Sequence, residues 1–159
     1  MSPAPVRFRD PRVTQYDYVS SMLVRCPRCE RVAHYECRPG RAPDAHGVIR
    51  SERRLVCRSC GLSRISSGPS KAHSGGQPCR PSLWLRAETR HGVVWAYNLE
   101  HLDLLRRFVA ASLRERAPWY DTGRKMTLIA RLPAWIKSAK NRTEVLRALD
   151  RLRASVTAV

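Results

Sequence analysis

No run in the 159 residues approaches the eighteen consecutive apolar positions that a membrane-spanning helix needs. The opening Met1-Ser2-Pro3-Ala4-Pro5-Val6-Arg7 puts no apolar segment ahead of its arginines, so no secretory leader is expected. Acidic residues are scarce, thirteen Asp+Glu against thirty Lys+Arg, and lysine occurs only at Lys71, Lys125, Lys137 and Lys140. Motifs of catalysis are missing too: no Gly-rich phosphate loop, no nucleophile elbow and no HExxH pair. The few carboxylates fall beside arginines at helical spacing, as in Glu144/Arg147 and Arg147/Asp150/Arg151. His101, in the first turn of an expected helix, reads as a packed or surface histidine before a general base. These absences point to a cytoplasmic protein with no membrane partner, no small-molecule substrate and no enzymatic activity.

What the chain has in quantity is arginine. The formal net charge is +17. It is uneven: residues 1–81 hold fifteen basic and six acidic residues, 82–123 hold six and five, and 124–159 hold nine and two. Two basic ends therefore flank a nearly neutral middle. Such a field makes polyanions the first partners to consider, and arginine suits bidentate phosphate contact. A GC-rich coding sequence would give the same arginine bias, so the bias alone assigns no partner.

Four of the six cysteines form two pairs, Cys26-Pro27-Arg28-Cys29 and Cys57-Arg58-Ser59-Cys60-Gly61. Two intervening residues let both sulfurs of a pair turn onto one ion, and two pairs make the tetrahedral four-thiolate shell that Zn2+ accepts. One structural zinc at Cys26, Cys29, Cys57 and Cys60 is the expectation; iron takes the same ligands and stays open. Gly61 stands where such a knuckle favours positive φ, and Glu30 holds the equivalent place after the first pair. No βαβ pattern surrounds either pair, which disfavours redox-active dithiols. Cys37 and Cys79 read as small buried residues or free thiols, with a second site shared with His34, His46, His73 or His91 as the lesser alternative.

The flanks of the pairs read as strands: Tyr18–Val24 into the first knuckle and Arg31–Cys37 out of it, then Arg53–Val56 into the second and Leu62–Ser66 out. A long loop containing the turn-rich Arg38–Asp44 is expected between them. On the motifs CPRC and CRSCG, residues 24–66 resemble the zinc ribbons of the transcription factor IIB type. The resemblance implies a metal-held antiparallel sheet and leaves function open, because ribbons serve many roles. A segment this small buries too little apolar surface to fold without its metal.

Residues 67–81 read as a linker, closing a ribbon domain over 1–66 and opening a second domain over 82–159. There Ser82–Ala87 and Val93–Tyr97 predict a hairpin, and Asn98 caps a helix over Leu99–Arg116 with Leu102, Leu105, Val109 and Leu113 on its buried face. Trp84, Trp95, Tyr97 and Phe108 are the expected core, with stacking on bases as the alternative. Lys125–Leu132 reads as helical, Pro133 begins a short helix Ala134–Lys137, and Asn141 with Glu144 forms a capping box for a last helix lined by Val145, Leu149, Leu152 and Val156. Leu83-Trp84-Leu85, Val94–Asn98 and Leu132–Arg142 resemble a pattern of uncharacterised bacterial proteins, which implies a shared fold and no activity.

The expected class is thus α+β, an N-terminal zinc ribbon followed by a β-hairpin and about three helices. Near Trp135, the cations Lys137, Lys140, Arg142, Arg147 and Arg151 form the candidate nucleic-acid site, contacting phosphates with little sequence preference. The alternative is an adapter that docks on a polymerase or nucleoprotein complex.

Overall fold

The computed structural model describes residues 5–69, 82–115 and 127–157, apart from the side chains of Arg41 and Pro69. The chain is α+β, with antiparallel strands and three α-helices among the described residues. It divides into two units, Val19–Leu85 and Met1–Tyr18 with Arg86–Val159. The expected boundary at residues 66–82 differs on both sides: Phe8 and Tyr18 pack with the later unit, while Ser82–Leu85 stay with the sheet.

In the first unit, β2 (Ser21–Arg25), β3 (Val32–Pro43), β4 (Ile49–Val56) and β5 (Ser63–Pro69) form one antiparallel sheet in sequence order. Cross-strand register puts Met22, Tyr35 and Leu55 on one face, beside Val24 and Ala33. That face packs on the four cysteines and Leu62. Along the outer edge of β2, Ser82–Trp84 runs antiparallel: Arg25 N–H donates to Ser82 O at 2.7 Å and Trp84 N–H to Leu23 O at 2.9 Å. The Arg25 guanidinium lies over the Trp84 ring. The first half of the expected second-domain hairpin is therefore an edge of this sheet.

The long loop expected before the second cysteine pair is mostly strand. Pairing continues past Cys37, with Arg38 opposite Glu52 and Pro39 opposite Ser51, and the register shifts only between Pro39 and Pro43. Proline has no N–H to give a ladder, so the irregularity falls where the two prolines stand. Reversal is left to Asp44–Val48. The Asp44 carboxylate accepts from His46 N–H, Val48 N–H and Arg50 Nε, an Asx-type closure that needs few residues.

The second unit begins with β1 (Arg7–Phe8), which pairs in parallel with β8 (Leu113–Arg114). Its hairpin is β6 (Arg86–Thr89) and β7 (Gly92–Trp95). Strand alternation decides the fate of one aromatic here. Val94 takes the buried side of β7, so Trp95 faces outward and is 41% exposed, against the expectation of a core position. Tyr97 and Phe108 are buried as expected, and Phe8 meets Phe108 edge-on.

Asn98 caps α1 (Leu99–Ala110) by accepting from His101 N–H. Leu102, Leu105 and Val109 are buried, together with Leu104 and Phe108. The helix stops before the expected Arg116. Ser112 and Leu113 N–H groups donate instead to Val6 O, and β1 draws the chain into β8. Leu113 is consequently exposed rather than in the core.

Thr127–Leu132 makes turns, not the expected helix; Lys125 and Met126 lie outside the described residues. Thr127 Oγ1 donates to the buried Asp10 carboxylate at 2.8 Å, which holds this turn to the N-terminal segment. Pro133 precedes α2 (Ala134–Lys137) as expected, and α3 spans Arg142–Thr157. Val145, Leu149 and Leu152 are buried, joined by Ala148, while Val156 is half-buried. The capping box is not the arrangement seen. The Asn141 amide donates to Trp135 O, and the Glu144 carboxylate reaches the β6–β7 turn, accepting from Arg90 N–H at 3.2 Å and lying 2.7 Å from Arg90 Nε. Packing of α3 on the hairpin brings Glu144 there. Likewise Asp150 pairs with Arg106 and Asp103 with Arg153, so the expected pairs within the last helix give way to pairs between helices.

Candidate metal centre

Each cysteine pair sits in a loop closed by the same two backbone hydrogen bonds. Cys26 N–H donates to Arg31 O at 2.8 Å and Glu30 N–H to Cys26 O at 2.9 Å; Cys57 N–H donates to Leu62 O at 2.8 Å and Gly61 N–H to Cys57 O at 3.0 Å. Both loops need a residue at positive φ, supplied by Glu30 at 59° and Gly61 at 71°. The loops project from the ends of β2 and β4, which are brought close by the intervening β3. Strand pairing, not the loops alone, therefore sets the distance between the two sulfur pairs.

All four sulfurs lie within 4.8 Å of one another, with Cys26 to Cys60 at 3.7 Å and Cys29 to Cys57 at 3.6 Å. Four ligands at about 2.3 Å around one tetrahedral ion would stand about 3.8 Å apart. The spacing fits a single metal ion. Cys26 and Cys57 are buried, Cys29 and Cys60 half-buried, and none of the described cysteines is in a disulfide.

The thiols influence one another strongly. Burial alone would raise the Cys57 thiol, but the Cys60 N–H and the neighbouring sulfurs outweigh it and hold it down at about 6. Burial likewise acts upward on Cys26, and hydrogen bonds from the Arg28 and Cys29 amides leave it lowered. Cys29 receives the Arg31 N–H, which lowers it, yet burial and the three other sulfurs together push it up to about 12. Backbone N–H groups directed at sulfur favour thiolate, the form that binds metal.

The remaining candidate residues fall in several places. Cys37 is half-buried on β3, and among the described residues the four cysteines are the one cluster of three or more ligand side chains that could hold a metal ion. His73 and Cys79, with most of the expected linker, lie outside the described residues. Of the proposed phosphate contacts, Lys137 Nζ donates to Ala130 O at 2.7 Å and Arg142 Nη2 to Ala111 O at 3.0 Å, so both side chains turn toward the protein. Lys140, Arg147 and Arg151 are exposed. Sequence reasoning passed over Arg28, Arg31 and Arg58, which are exposed on or beside the two cysteine loops. Their positions inside and next to the C-x-x-C motifs were the available signal.

No protein-family model, curated protein or solved structure matches the chain. Among the described residues no helix is long and apolar enough to cross a membrane.

Proposed function

We propose that Cys26, Cys29, Cys57 and Cys60 hold one zinc ion, that β2–β5 with its two loops is a zinc ribbon, and that the protein binds nucleic acid through backbone phosphates in the cytoplasm. Four thiolates suit Zn2+ and leave no open coordination position, so the ion's contribution is to tie the two loops together. The observation that carries the nucleic-acid reading lies on those loops. Arg28, Arg31 and Arg58 are exposed, and none has a carboxylate partner among the described residues. A fixed metal centre would therefore present three guanidinium groups from a rigid base, with Arg54 and Arg64 exposed on the adjoining strands. Lys140, Arg147 and Arg151 offer a second basic surface, the latter two one turn apart on α3. Lys137 and Arg142 leave the exposed contact set, since both side chains turn inward to backbone carbonyls.

Binding of labelled duplex and single-strand oligonucleotides of unrelated sequence, followed by anisotropy across a salt series, tests the reading. Affinity should vary little with sequence and fall linearly on logarithmic axes, with a slope of about −0.9 per duplex phosphate neutralised. Charge reversal at Arg28 and Arg58, or at Lys140, Arg147 and Arg151, should flatten that slope. One observation favours a protein partner instead: Ile65, on the outer strand β5, is 66% exposed. A stoichiometric, nuclease-insensitive protein partner together with no oligonucleotide binding would establish that reading in place of this one.

A further inference from the structure

Two arginines of the second unit lack what buried cations require. Arg114 ends β8 and Arg142 opens α3, and both are half-buried. The Arg114 guanidinium lies over the Phe108 ring, 4.1 Å from its centroid, and Nη1 donates to Lys137 O. Its Nε and Nη2 are closed to solvent and meet no acceptor among the described residues. Those two nitrogens form the side-on edge of the guanidinium, the edge that grips an oxyanion with two parallel bonds. Arg142 spends Nη2 on Ala111 O, and its Nε is closed off without an acceptor among the described residues as well. Neither arginine forms an ion pair with a carboxylate among the described residues.

Burial, and then the neighbouring Arg142 charge, lower the pKa of Arg114. Like charges side by side, each with idle donors shut from water, are costly to maintain without a counter-charge. Buried donors left without partners commonly mark a place where an ion or water belongs. Three idle donor nitrogens beside two positive charges select an anion with several oxygens.

We propose that Arg114 and Arg142 form a binding site for one oxyanion of the phosphate class, gripped by Nε and Nη2 of Arg114 and by Nε of Arg142. Phe108 beneath Arg114 and the Lys137 carbonyl on Nη1 hold the fork in place, and Ala111 O does the same for Arg142. Because the donors are closed to solvent, the anion enters by a local opening and is shielded once inside. Chloride at equal ionic strength therefore does not substitute for it. The site is separate from the exposed cations of the nucleic-acid reading and stands whether or not that reading does. Its phosphate comes either free in solution or attached to a nucleic-acid chain.

The test uses the full metal-loaded chain. Inorganic phosphate at millimolar concentration should raise the thermal midpoint by about 5 °C over sodium chloride of the same ionic strength. The phosphorus resonance of the added phosphate should broaden with protein. Arg114→Met and Arg142→Gln should each abolish the phosphate-dependent rise. Should either variant fail to fold, the other variant and the parent's resonance still decide. An unchanged midpoint and a sharp phosphorus line in the parent would overturn the proposal. The source is read by competition: displacement of a bound oligonucleotide by phosphate assigns the site to a nucleic-acid phosphate, and phosphate binding without displacement assigns it to the free ion.

Discussion

Glu30 and Gly61 occupy equivalent positions in the two cysteine loops, at φ of 59° and 71°. Only the second is a residue that adopts this backbone without cost. A side chain in the left-handed region costs about 1 kcal/mol relative to glycine. Glu30→Gly should therefore stabilise the metal-loaded protein by about 1 kcal/mol, and Gly61→Ala should destabilise it by a similar amount. Urea midpoints of the two variants check both signs.

Metal removal should act on one unit before the other. In Val19–Leu85 the fully buried positions include Leu23, Val24, Ala33 and Leu85, and the sulfurs Cys26 and Cys57 fill much of the rest. A metal held by four thiolates contributes on the order of 10 kcal/mol to a domain of this kind. A strong chelator, or Cys57→Ser, should abolish amide-exchange protection at Val24, Ala33 and Leu55. Protection in α1 and α3 should persist. Retained protection in the chelated sheet would contradict a structural metal.

Gly40 tests the far end of the same sheet. A Cβ there would stand 2.2 Å from Arg50 O, a backbone atom that cannot yield cheaply. Gly40→Ala should destabilise the β3–β4 hairpin by about 1–3 kcal/mol. Metal stoichiometry should remain one per chain, because the cysteine loops lie at the opposite end. Elemental analysis beside thermal unfolding separates the two effects.

His101 should impose a pH dependence on the second unit. It is 2% exposed, its Nδ1 accepts from Tyr97 N–H, and burial lowers its pKa to about 4. The unfolded chain titrates near 6.5. Above that value both states are neutral and the stability is complete. Below it the unfolded chain takes up a proton that the folded chain refuses, so stability falls as pH drops toward 4, by about 3 kcal/mol in all. His101→Gln should remove this slope; denaturant midpoints of variant and parent at pH 7, 6 and 5 isolate it from protons taken up by the cysteines. Parallel slopes would retire the assignment.

The four-cysteine cluster was legible because its signal is local. Two cysteines three positions apart define a loop, and Gly61 marks the required φ. Asn98 as a cap and Leu102, Leu105 and Val109 as a buried stripe were legible for the same reason. Errors fell where a distant segment decides the outcome. Leu113 has the right spacing for α1, yet the Val6 carbonyl ends the helix one turn earlier. Glu144 has capping-box spacing, but the β6–β7 turn lies within its reach. Trp95 looked like core from its strand context, but alternation along that strand puts Val94 inside instead. The prolines of β3 signalled a loop, whereas the strand tolerates them at a register shift. Lys137 and Arg142 read as solvent-facing cations because nothing in their own segment shows that Ala130 and Ala111 present carbonyls to them.

The pairing of β1 with β8 bears on the order of events at the ribosome. Phe8 leaves the exit tunnel well before its partner Phe108, which is made a hundred residues later. The four-cysteine segment is complete in the interval, and domains generally fold as they emerge. Arg7 and Phe8 therefore stay unengaged while the cysteine-bearing sheet forms, and they pair only once α1 and β8 have followed.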